Sequence, residues 1–149
     1  PEAKISETTQ LIPGTDGEKM SKSKNNVIDI FLPEKALRKQ IMGIATDSTP
    51  LEAPKDTESC NVFALYRLLA QPNQIEAMAQ NYAQGGYGYG HAKQALFELI
   101  VDKFGLQREA FTQLVYDTKQ LDELLAIGAA KAQKVASAVM GRVRAHLGY

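Results

Sequence analysis

From Asn61 to Tyr149 apolar residues recur at helical spacing, and this constrains the 149-residue chain more than any other feature. Val62, Leu65, Tyr66 and Leu69 share one face of a predicted helix that Asn61 stands ready to cap. Pro72 opens a second, carrying Ile75, Met78 and Ala79. It stops at the run Gly85-Gly86-Tyr87-Gly88-Tyr89-Gly90, which reads as a connection between helices. A third is predicted over 92–104, with Ala95, Leu96, Leu99 and Ile100 on one side and Gly105 as its stop. A fourth covers 108–116, and a last covers 121–147 with a break expected near Gly128. In that last segment Ala132, Val135, Ala136, Val139, Val143 and Leu147 form one apolar stripe, with Lys131, Lys134 and Arg142 along its border. Such a helix is expected to pack its stripe inward and show its cations to solvent. The expectation is a mainly α fold built as a helical bundle.

The first third reads differently. Residues 1–12 mix β-branched and polar side chains (Ile5, Thr8, Thr9, Ile12) and run into Pro13-Gly14 and Thr15-Asp16-Gly17, the pattern of a short strand entering a turn. One strand cannot bury itself, so its partners are expected in a longer protein from which this chain is a piece. Leu32-Pro33-Glu34-Lys35 starts a helix with Ala36, Leu37, Ile41 and Ile44, ending near Gly43. Residues 46–59 are rich in Thr, Pro, Asp and Glu without periodicity and read as a surface loop. The expected division is therefore 1–60 and 61–149.

Composition excludes several classes. With 44% hydrophobic and 23% charged residues, and 17 Lys+Arg against 17 Asp+Glu, the chain has material for a core and is neither disordered, collagenous nor mucin-like. No apolar run approaches the roughly 20 residues that cross a bilayer, and no signal sequence opens the chain, so no membrane partner is expected. The single Cys60 fits a reducing, cytoplasmic compartment. Zero net charge leaves room for a nucleic-acid partner, because phosphate is met by local patches. Residues 124–149 hold Lys131, Lys134, Arg142 and Arg144 and no acid, and a second basic cluster sits at Lys19, Lys22 and Lys24.

That second cluster carries the chemistry. In Lys19-Met20-Ser21-Lys22-Ser23-Lys24, two lysines three residues apart alternate with serines on a loop entered through glycines. Such a loop can set two ammonium groups and several hydroxyl or backbone donors around one polyphosphate. Lysines closing on a departing pyrophosphate would stabilise the charge that develops there. The competing reading is a solvated basic turn.

Residues 19–23 reproduce the lysine-serine signature of the class I aminoacyl-tRNA synthetases without departure, and a specified pentapeptide arises by accident about once in ten thousand chains of this length. The surroundings resemble the bacterial tryptophanyl branch: Pro13-Gly14-Thr15-Asp16-Gly17 before the motif, Ser23-Lys24-Asn25-Asn26 after it, and Thr46-Asp47-Ser48 downstream. Gly86-Tyr87-Gly88-Tyr89-Gly90 before Lys93 and 125–132 are similar too, so the resemblance spans nearly the whole chain.

The resemblance implies an ATP-dependent ligase that activates tryptophan as an adenylate and attaches it to its transfer RNA. Lys22 and Lys19 would contact the ATP phosphates and stabilise pyrophosphate, while Met20, Ser21 and Ser23 would shape the loop. Mg²⁺ would travel with the nucleotide, since no metal-ligand cluster appears in the sequence. The strand and loop would be remnants of a Rossmann-like nucleotide-binding domain, and 61–149 the helical, anticodon-facing part. Lys131, Lys134 and Arg142 would face transfer RNA, the parent would be a homodimer, and no DNA partner is expected. Two departures stand out. His91-Ala92-Lys93 lacks the aromatic residue that many relatives place before this lysine, and the other class I signature, His-Ile-Gly-His, is absent. This piece alone is therefore expected to be inactive. The tyrosyl branch and a free-standing helical RNA-binding module are the alternatives.

Overall fold

The computed structural model describes residues 11–149. Six α-helices follow one another: α1 (Glu34–Met42), α2 (Asn61–Leu69), α3 (Pro72–Gln84), α4 (Tyr89–Lys103), α5 (Gly105–Tyr116) and α6 (Thr118–Leu147). The described residues contain no strand, only an isolated antiparallel bridge between Pro13 and Lys19. The strand expected over 1–12 lies almost wholly outside the described residues. Two compact units are formed, one reaching to Gly105 and one from Leu106 to Tyr149. The packing thus divides the chain at Gly105, whereas composition shifts near residue 60. The reason is that α1, upstream of that shift, packs on α4 downstream of it.

In the first unit α4 is the central element, in contact with both α1 and α2. Leu37 and Ile41 from α1, Val62 from α2, Tyr82 from α3 and Leu96 from α4 are buried together in one core. Each buried aliphatic side chain contributes about 1.5–3 kcal/mol of transfer free energy. Two lysines of α4 tie the layers further. Lys93 Nζ donates to the Met42 carbonyl at 3.0 Å and Lys103 Nζ to the Leu69 carbonyl at 2.6 Å. Each places a cation on the last carbonyls of a neighbouring helix, where the partial charge is negative. Burial pulls the Lys93 ammonium below its ordinary pKa.

Around Tyr82 the glycine-tyrosine run finds its role. The rings of Phe63, Tyr87 and Tyr89 lie 5.7, 6.0 and 6.2 Å from that of Tyr82, and the Cys60 thiol is 3.4 Å from the Tyr82 hydroxyl. Burial raises the Tyr82 pKa, and Cys60 is buried within the core. Tyr89, pushed up to about 12 by burial and its bond to a carboxylate, donates to Asp47 Oδ1 at 2.8 Å. The loop 46–59 is anchored more firmly than its composition implies. Lys55 is buried, and its ammonium donates to the carbonyls of Pro50, Leu51 and Ala53 at 3.1–3.2 Å.

Several expected boundaries move. Asn61 is the first residue of α2 and does not cap it; its carboxamide donates instead to the Ala45 carbonyl at 3.1 Å. Gly85, at φ +74°, ends α3, but Gly88 already precedes α4, which starts at Tyr89. α4 ends at Lys103 with Phe104 as its C-cap, next to the stop expected at Gly105, and Gly105 at once opens α5. Gly128 does not break α6, because the i to i−4 ladder tolerates one glycine at a cost of about 1 kcal/mol.

In the second unit, Asp117 Oδ1 accepts from the Gln120 amide at 3.0 Å and starts α6. The inward packing expected of α6 is not found: Val135 and Leu147 are each 67% exposed, and Val139 and Val143 each 42%. Two helices alone offer no second layer wide enough to cover the stripe.

Candidate functional site

The lysine loop is built from short-range bonds before any distant contact acts. Gly14 N donates to Glu18 O at 2.7 Å, Gly17 N to Gly14 O at 3.1 Å and Met20 N to Ile12 O at 2.9 Å, making a narrow hairpin. Asp16 Oδ1 accepts from the Glu18 amide at 3.0 Å, the side-chain turn that aspartate favours. Beyond Met20 the chain makes one 3-10 turn over Lys22–Lys24, closed by Asn25 in the left-handed region at φ +53°. Ser21 and Ser23 hydroxyls meet at 2.9 Å across that turn.

Asn26 lies underneath and is 2% exposed. Its Oδ1 accepts from Ser21 N at 2.7 Å, and its Nδ2 donates to Asp16 Oδ1 at 2.8 Å and to Lys19 O at 3.2 Å. Its own carbonyl accepts from Thr15 N at 2.9 Å. Gly14 has no Cβ for a plain reason: one would overlap the Asn26 carboxamide. The loop joins the helical body through Ala45 N, which donates to Thr15 O at 2.7 Å. Half-buried Met20 joins it too, lining an apolar cavity of about 310 Å³ with Ile28, Leu65 and Leu96.

The charges are sorted by these bonds. Glu18 pairs with Lys24 at 3.5 Å, and Asp16 is engaged by Asn26, whose donated hydrogen bond is the main cause holding its carboxyl below the ordinary carboxylate range. Lys19 and Lys22 are exposed and have no ion pair among the described residues. The two acids nearest the signature are thus spent on other partners, and two ammonium groups remain available to an anion. All five of the predicted loop residues, Lys19, Met20, Ser21, Lys22 and Ser23, are brought together here. Lys131, Lys134 and Arg142 are exposed on α6, in the other unit. Among the described residues no group of three or more His, Cys, Asp or Glu is arranged to hold a metal. No helix among them is long and apolar enough to cross a membrane.

Sequence reasoning missed Asn26, which it read only as part of the motif's exit. The Asn25-Asn26 pair signals a turn, but nothing local says which of the two is buried.

What the fold and loop define is a helical protein bearing a lysine-serine loop with free ammonium groups for an anion. The chain belongs to the class I tRNA synthetases of the tryptophan and tyrosine group, whose sequence model matches residues 3–105. It is 44% identical over 148 residues to the tryptophan–tRNA ligase of Campylobacter jejuni strain RM1221, covering 99% of this chain and 46% of that protein. The corresponding ligase of Rhodopirellula baltica is 43% identical, with the same coverage. A crystal structure of the Campylobacter jejuni tryptophanyl-tRNA synthetase complexed with ADP and tryptophan superposes with a TM-score of 0.87 at 44% identity, covering 100% of this chain and 47% of that one. The chain therefore spans just under half the length of these relatives.

Proposed function

We propose that this chain is the C-terminal part of a tryptophan–tRNA ligase that activates tryptophan with ATP and Mg²⁺ and transfers it to tryptophan transfer RNA. The observation that carries the reading is the intact signature loop with Lys19 and Lys22 exposed while Asp16 and Glu18 are engaged elsewhere. In the activation step the tryptophan carboxylate attacks the α-phosphorus of ATP and pyrophosphate leaves. Lys22, with Lys19, neutralises the charge that grows on that leaving group, and Ser21, Ser23 and the loop amides orient it. Mg²⁺ supplies charge neutralisation on the phosphates when bound, and the phosphates hold it. On this reading residues 1–60 form the C-terminal end of the catalytic nucleotide-binding domain, with the loop 19–23, and 61–149 the helical anticodon-facing domain. The parent is a cytoplasmic homodimer. The identity to tryptophan–tRNA ligases over 99% of the chain supports the choice of amino acid.

The test is ATP–pyrophosphate exchange by the full-length protein with each amino acid. Exchange driven by tryptophan and not by tyrosine is the expected result; exchange driven by tyrosine, or none, overturns it. For transfer RNA, replacing Lys131, Lys134 and Arg142 together by alanine should weaken binding in a salt series and flatten the log–log salt slope by about 2–3, the signature of lost phosphate contacts. An unchanged slope would mean that the stripe does not meet RNA.

A further inference from the structure

We propose that Asn26 is a positioning residue for the activation reaction: its carboxamide sets the direction in which Lys19 and Lys22 leave the loop. The proposal rests on the ligase reading above and adds a residue to it.

One side chain reaches three points of the loop. Asn26 takes the amide of Ser21, gives one N–H to the carbonyl of Lys19 and gives the other to Asp16. Ser21 lies between the two lysines of the signature, and the Lys19 carbonyl is the backbone of one of them. The backbone from which both ammonium groups project is thereby pinned on each side of Met20. Lysine side chains are long and rotamer-rich, so the backbone beneath them decides whether two ammonium groups converge on one pyrophosphate or splay apart. A shift of about 1 Å in such a group can cost about 100-fold in rate.

The geometry also requires a carboxamide. Oδ1 faces a donor and Nδ2 faces two acceptors, so no other side chain of this size satisfies all three. Asp16 has a second part in this: its carboxylate is 2.8 Å from Asn26 Nδ2 and forms no ion pair with Lys19 or Lys22 among the described residues. An Asn26→Asp change keeps the shape but sets a carboxylate against both the Asp16 carboxylate and the Lys19 carbonyl. Releasing Asp16 would supply a competing anion beside the lysines whose task is to receive phosphate.

The experiment uses the full-length protein and measures tryptophan-dependent ATP–pyrophosphate exchange, with thermal unfolding alongside. Asn26→Asp is expected to lower kcat about 100-fold while the KM for tryptophan stays within about twofold, because the loop acts on the departing pyrophosphate and not on the amino acid. Adding Asp16→Asn restores a donor and an acceptor across the pair and is expected to recover about tenfold of that loss. Should Asn26→Asp fail to fold, Asp16→Ala decides the matter. It removes the acceptor of both Asn26 Nδ2 and the Glu18 amide while the Asn26 bonds to Ser21 and Lys19 stay in place, and kcat should fall about fivefold with only a small drop in Tm. A kcat within about twofold of wild type in the folded variants overturns the proposal, as does a loss that the second substitution leaves uncorrected. Absence of exchange in the wild-type protein would overturn the ligase reading instead.

Discussion

In the full-length ligase proposed above, replacing Lys22 with alanine is expected to lower tryptophan-dependent ATP–pyrophosphate exchange by about 100- to 1,000-fold, or about 3–4 kcal/mol of transition-state stabilisation. The size follows from where the group sits. Lys22 is exposed, opens the 3-10 turn, and has no ion pair among the described residues, so its charge is not already offset by a protein carboxylate. Lys24, at the other end of the same turn, differs because Glu18 holds it at 3.5 Å. Lys24→Ala is accordingly expected to change exchange by less than about threefold, the scale of an exposed ion pair. The KM for tryptophan should hold in the Lys22 variant, since the interaction lost in the proposed mechanism is one made with the leaving group. Steady-state exchange over a range of ATP and tryptophan concentrations checks both variants. Equal losses in the two would mean that the loop acts only as a diffuse positive patch.

Leu96→Ala is expected to destabilise the protein by about 2–5 kcal/mol, measured as the shift in urea unfolding free energy. Leu96 is completely buried on α4, the helix that contacts both α1 and α2. It also lines the open apolar pocket of about 310 Å³ beside Met20, so its truncation enlarges that space. Two losses add here: the transfer free energy of the removed carbons and the dispersion contacts of the atoms left facing a gap. The seat of Met20 loosens with them, which connects a core substitution to the signature loop. A change below about 1 kcal/mol would show that the neighbours collapse into the space.

Much of the fold is readable because helices obey short-range rules. The proline that opens α3 and the one just before α1 stand where the sequence indicates, and α1 ends at Gly43 as expected. Where sequence and structure part, conformation follows from context and not from residue type. Gly128 carries the expectation of a helix break, yet it has no positive φ and lies within α6. Asn61 belongs to a type that often caps helices, but its carboxamide is taken by the Ala45 carbonyl from a different segment. The stripe on α6 has true helical periodicity, and periodicity alone does not supply a surface to cover it.

The signature loop and the succession of helices were determined by the sequence itself, since both depend on residues a few positions apart. Tertiary structure decided which polar groups those elements leave free. Lys93 meets the carbonyl of Met42 across 51 positions, and Lys103 meets that of Leu69 across 34, so each of these cations serves a helix end that local pattern cannot see. Asn26 becomes the centre of the loop only when the chain folds back through 10 positions to Asp16. The physical reason is common to all three: hydrogen bonds form between groups that are close in space, and only packing brings distant segments within their reach of about 3 Å.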